Sequence, residues 1–224
     1  MPAPADASSE SSPAPLRLAV FASGGGTNFQ AILDAIARED LAAKAVLCVS
    51  DRPDAGALDR ARRHDIPAAV LDPADDDHEA ALLDTLDAHD VGFVALAGYL
   101  RKIPAGVVDR FRHRMTNIHP ALLPAFGGRG MYGMHVHRAV IDYGVRWSGA
   151  TVHLVDASYD TGPIVLQEPV PVYPDDTAEQ LAARVLEVEH RLYPEALRLF
   201  AEGRVRCEDR TVFIDPAAPE AASR

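Results

Sequence analysis

Leu16 to Glu39 read LRLAVFASGGGTNFQAILDAIARE, and the fold follows from this stretch. Leu16–Ala22 is a short apolar run that Ser23 and the glycines at 24, 25 and 26 close, as expected of a buried strand ending in a turn. Beyond the turn, Phe29, Ile32, Leu33 and Ile36 recur at helical spacing and give the next segment one apolar side. The order is strand, glycine-rich turn, helix.

The same unit recurs downstream. AKAVLCVS (43–50) precedes the helical GALDRARRH (56–64), AAVLD (68–72) precedes HEAALLDTLDAH (78–89), and GFVALAG (92–98) precedes a helix that Pro104 opens at its first turn. Such alternation predicts an α/β fold, a mostly parallel, doubly wound, Rossmann-like sheet with helices on both faces. After RMTNIHP the pattern changes. A loop rich in Gly and Pro leads through HVHRAVIDYG to two long strand candidates, RWSGATVHLVD and PIVLQEPVPVY, which read as an antiparallel C-terminal extension of the sheet. An amphipathic helix from about Thr177 to Ala201 carries Leu181, Val185, Val188, Leu192 and Leu199 on one stripe, with Pro194 expected to kink or divide it. RVRCED and RTVFID suggest a small hairpin. Residues 16–215 are thus expected to form one domain, flanked by disordered tails at 1–15 and 216–224.

The composition narrows the function classes. With 224 residues, 48% apolar and 25% charged, the chain can bury a core without metal or disulfide support. No apolar run approaches the roughly 20 residues of a membrane span, so a membrane partner is not expected. MPAPADASSESSPAP has neither the basic nor the apolar region of a signal peptide, which points to the cytoplasm. Cys48 and Cys207 lie in different elements without metal-ligand spacing and are expected to be reduced and structural. A net charge of −11, with Lys and Arg scattered, disfavours nucleic acid as a partner.

Two places can carry chemistry. At Ser23-Gly24-Gly25-Gly26-Thr27-Asn28, free N–H groups and the helix dipole favour an anion such as a phosphate. A dinucleotide fingerprint needs a glycine where Phe29 stands, and no Gly-Lys-Ser/Thr follows, so NAD and ATP are disfavoured. A tight turn needing glycines only for its backbone angles remains the other reading. At Met115–Ile118, a short strand places Asn117 and His119 on one side at its carboxyl end, where open α/β sheets form their ligand crevice. Asn117 could donate to a developing oxyanion and His119 could relay the proton of an attacking amine; the plainer alternative is a His that caps or packs. Asp160, in SYDTGP, either makes an Asx-type turn or stands as a carboxylate beside His119. His135 and His137 show no third metal ligand, and no metal is expected.

Together, SGGGTN (23–28), AGYLRKI (97–103), NIHPALLPAF (117–126) and GATVHLVDASYDTGPIV (149–165) resemble the folate-dependent formyltransferases, over about Leu16 to Asp215. The resemblance implies 10-formyltetrahydrofolate as co-substrate and, as acceptor, the amine of glycinamide ribonucleotide in purine biosynthesis. It assigns Asn117 to the oxyanion and to folate contact, His119 to proton transfer, and Asp160 to raising the imidazole pKa. It places the ribose phosphate on Gly26, Thr27 and Asn28, uses Glu189 for the substrate, and lays the pterin along Leu100, Arg101, Lys102 and Ile103. A monomer or homodimer is implied. Three departures stand out: His78 replaces a family arginine near the folate tail, Leu186 replaces a glutamine one turn before Glu189, and the loop Gly127–Met134 is enlarged. The alternatives are a formyltetrahydrofolate deformylase, with water as acceptor, and a non-catalytic phosphate-binding module. Methionyl-tRNA formyltransferase ranks lower, for want of a basic face and a further C-terminal domain.

Overall fold

A computed structural model describes residues 14–217; of the tails expected at 1–15 and 216–224, residues 1–13 and 218–224 lie outside the described residues. Its elements run β1 (Leu16–Phe21), α1 (Thr27–Ala37), β2 (Ala43–Ser50), α2 (Gly56–Arg63), β3 (Ala68–Val70), α3 (His78–Ala88), β4 (Phe93–Leu96) and α4 (Ala105–Arg110). There follow β5 (Met115–His119), α5 (Met134–Tyr143), β6 (Trp147–Leu154), β7 (Ile164–Pro171), α6 (Ala178–Ala201), β8 (Val205–Glu208) and β9 (Thr211–Ile214).

Seven strands form one sheet in the order β3-β2-β1-β4-β5-β6-β7. β1 to β5 are parallel, and β6 and β7 add to them antiparallel, as the change of pattern after His119 suggested. β8 and β9 form the expected hairpin apart from it. The central strands read as continuous apolar runs because both their faces are covered. Leu18 and Val20 of β1 join a core with α1, α2, α5 and α6, whereas the alternating Ala19 and Phe21 join a second core with α3 and α4. Cys48 sits fully buried in the first of these, and burial pushes its thiol up to about 12.

The chain leaves β1 in one direction, to β2 and β3, and returns on the other side at β4. This switch point opens a crevice beyond the carboxyl ends of β1, β4 and β5. Two contacts join the segments around it: the Ser23 N–H donates to Gly98 O at 3.0 Å, and the Leu100 N–H donates to Ser23 Oγ at 2.9 Å.

Two boundaries differ from the sequence reading. Pro104 is the N-cap of α4, one place before the helix, and α6 continues through Pro194 as one helix of 24 residues. α6 is held at both sides of that proline. Thr177 and Gln180 form a capping box at its start, and Tyr193, fully buried, donates from its hydroxyl to Leu96 O and Thr116 O, both at 3.1 Å. That anchor fixes α6 across the ends of β4 and β5. Glu189, four residues earlier, lies on the same side of the helix and is buried.

Candidate active site

The antiparallel register of β5 and β6 pairs Asn117 with His153 and His119 with Thr151. Residues opposite one another in a ladder share a face, so these four side chains project together. Asp160 reaches them from the β6–β7 turn, in a left-handed conformation with φ 55°. Its Oδ2 accepts the Gly128 N–H at 2.8 Å and lies 3.7 Å from His119 Nδ1; its Oδ1 lies 3.6 Å from His153 Nε2 and 3.5 Å from Asn117 Nδ2.

Hydrogen bonds set the orientation of each ring and amide. The nitrogen Nδ1 of His153 lies 2.8 Å from Leu154 O and donates there, so Nε2 accepts from Asn117 Nδ2 at 3.1 Å when it carries no proton and faces Asp160 Oδ1 as a donor when it does. One amide hydrogen of Asn117 is thereby used, and the other has only the long contact to Asp160. His119 donates from Nε2 to Phe126 O at 2.8 Å and is 3% exposed.

Burial is the larger influence on His119 and pushes its pKa below the ordinary value; Asp160 and the Phe126 carbonyl pull it back up. The carboxylate acts in the direction read from the sequence, but the net shift is downward, because the sequence does not reveal how deeply the ring is enclosed. Burial also pushes the Asp160 carboxyl up, yet His153, His119 and the Gly128 N–H together hold it below the usual carboxylate range.

A cleft of about 650 Å³ opens on this cluster. Leu100, Arg101, Lys102 and Ile103 form one wall, Gly128 to Gly133 another, and Asp156 and Ser158 to Asp160 the rim. The expected folate segment, the Asn117–His119–Asp160 set and the enlarged loop therefore meet at one place. Arg101 is tied down there by a 2.8 Å ion pair to Asp51, whose carboxylate is almost fully enclosed. Burial pushes Asp51 up, but Ser23 and Arg101 outweigh it and hold it low.

The glycine turn and Glu189 form a second place, outside the lining of that cleft. Asn28 Nδ2 donates to Glu189 Oε2 at 2.8 Å, and burial raises the Glu189 carboxyl to about 7 against the opposing effect of Asn28. Leu186 is half-buried one turn before it. His78, by contrast, is buried at the start of α3 with both ring nitrogens unpartnered, and it does not line the cleft. His135 and His137 point to different sides of α5: His137 is buried, and His135 is exposed against Tyr132.

His153 and Thr151 are the site residues that the motifs did not single out. Thr151 Oγ donates to Ala121 O at 2.6 Å and accepts the Leu123 N–H at 3.1 Å, which fixes the loop after His119. Their signal was present in TVHLV, where Thr151 and His153 alternate with apolar residues, but its meaning depends on the register with β5.

Residues 16–197 match the formyl transferase family, and the chain belongs to it. Within that family its relatives include proteins named phosphoribosylglycinamide formyltransferase. The one from Haemophilus influenzae is 36% identical over 90% of this chain and 95% of its own length. A chloroplastic one from Vigna unguiculata is 45% identical over 93% of this chain, which spans 66% of that protein. The crystal structure of glycinamide ribonucleotide transformylase 1 from Symbiobacterium toebii superposes with a TM-score of 0.84 at 44% identity, covering 90% of this chain and 95% of that one. A formyltetrahydrofolate deformylase from Pseudomonas syringae pv. tomato shares the fold at 25% identity, with a TM-score of 0.82 over 90% of this chain and 66% of its own.

Proposed function

We propose that this chain transfers the formyl group of 10-formyltetrahydrofolate to the amine of glycinamide ribonucleotide, a step of purine biosynthesis. The observation that carries the reading is the convergence of Asn117, His119, His153 and Asp160 on one cleft whose wall is Leu100–Ile103. The named relatives support the same acceptor, and the deformylase is the more distant neighbour.

The chemistry follows from the donors and acceptors present. The acceptor amine attacks the formyl carbon, and the carbonyl oxygen becomes an oxyanion. Asn117 Nδ2, with one hydrogen only weakly engaged, donates to it; such a donor lowers a barrier by about 3 kcal/mol. His119 takes the proton that the amine loses and passes it toward the departing folate nitrogen, so the C–N bond to folate breaks as the new amide forms. Asp160 supports the charged imidazole. No Ser or Cys nucleophile is required, and water must be kept from competing with the amine.

Glu189 and Asn28 receive the acceptor at the start of α1, and Gly26, Thr27 and Asn28 hold its phosphate. Leu100, Arg101, Lys102 and Ile103 hold the pterin. We take the protein to act in the cytoplasm as a monomer or homodimer; no described helix is long and apolar enough to cross a membrane. The test is product analysis: incubation with both substrates should yield N-formylglycinamide ribonucleotide and tetrahydrofolate in equal amounts. Free formate as the main product would overturn the reading in favour of the hydrolase.

A further inference from the structure

Arg60, half-buried on α2, does not line the large cleft; it borders a second, shallower pocket together with Thr27, Gln30 and His190. Its Nε donates to Gly25 O at 2.7 Å and its Nη1 donates to Gln30 Oε1 at 2.9 Å. One peptide earlier, the Ala57 N–H donates to Gly24 O at 3.1 Å. A trans peptide points its N–H opposite to its C=O, so the N–H groups of Gly25 and Gly26 face away from α2. No backbone N–H from Gly24 to Phe29 has a partner among the described residues. Gly26 completes the arrangement: its φ is 69°, and a Cβ there would meet Ala57 at 2.8 Å.

Three successive glycines are also the stretch of chain with the widest choice of peptide orientations. Were the Gly25–Gly26 peptide to flip, it would present a carbonyl oxygen where an anion needs a donor. The guanidinium blocks that flip by holding the oxygen on the α2 side, in a charge-assisted bond. We propose that Arg60 is a positioning residue for the acceptor's phosphate, acting through the Gly25 carbonyl to keep the turn's N–H groups aimed at the anion. This rests on the reading of the turn as the phosphate site and assigns what holds that site in its binding form.

The test compares wild type with Arg60→Ala and Arg60→Lys as full chains, each checked for folding. Arg60→Ala should raise the acceptor KM by about tenfold, the equivalent of one charge-assisted hydrogen bond, while kcat and the folate KM stay within about twofold. Inhibition by inorganic phosphate, competitive against the ribonucleotide, should weaken by the same factor, and Arg60→Lys should recover part of it. The factor should persist at high salt, where a Debye length of about 3 Å removes a through-space charge effect. Phosphate should also move the Gly25 and Gly26 amide resonances in wild type and fail to do so in Arg60→Ala. An unchanged acceptor KM, or a factor that vanishes in salt, overturns the positioning role and leaves the phosphate site standing. Phosphate that does not compete even in wild type overturns the site reading itself.

Discussion

At the residue scale, His119 and Glu189 carry the two testable ionisations. The proposed base must be neutral to accept the amine's proton, so activity should fall as pH drops through the His119 pKa. Asp160 raises that pKa against the ring's burial. Asp160→Asn should therefore shift the acid limb of the kcat/KM profile to lower pH, besides slowing turnover; an unmoved limb would separate the two residues. His119→Ala should lower kcat by at least about a hundredfold in a folded protein, and near-normal turnover would remove it from the mechanism. For Glu189, the folded carboxyl sits near 7, above the 4.5 of an unperturbed glutamate. The folded state then binds more protons than the unfolded one between those values, and stability is lost as pH rises from 4.5 to about 7. Glu189→Gln should accordingly be the more stable protein at pH 8, by on the order of 1 to 3 kcal/mol, with the difference fading below the unfolded pKa. Urea unfolding at several pH values measures this, and equal stability at pH 8 would mean that the carboxylate is not penalised by burial.

At the scale of elements, α6 connects folding to the proposed acceptor site. Tyr193 fastens it to the ends of β4 and β5, one turn from Glu189. Tyr193→Phe should cost about 1 to 2 kcal/mol in chemical unfolding and raise the acceptor KM more than the folate KM, because Glu189 loses its support. This helix also shows where a sequence can be read and where it cannot. Leu181, Val185, Val188 and Leu192 revealed its buried stripe, since helical period and burial coincide. Pro194 suggested a break, but anchoring on both sides keeps the helix whole. The strands of the parallel half were legible for the same reason: both faces of β1, β2 and β4 are buried, leaving apolar runs between turns. His153 was not legible, because its place opposite Asn117 depends on a register with no local signature. The enclosure of His119 by Phe126 O was equally hidden, as it comes from the path of a loop.

Taken as a whole molecule, the sheet places two sites on neighbouring strand ends. The glycine turn ends β1, the wall Leu100–Ile103 follows β4, and Asn117 and His119 end β5; on the proposed reading, a phosphate at the turn and a folate in the cleft would approach one another across the switch point. The Ser23 bridge from the turn to Gly98 and Leu100 keeps these segments in register. On the proposed reading, that pairing would give the acceptor amine a held position that water does not need. The most direct measurement is therefore the release of tetrahydrofolate from 10-formyltetrahydrofolate with and without glycinamide ribonucleotide. Release that requires the ribonucleotide and saturates with it is the expected result; release at the same rate without it would contradict the proposed acceptor.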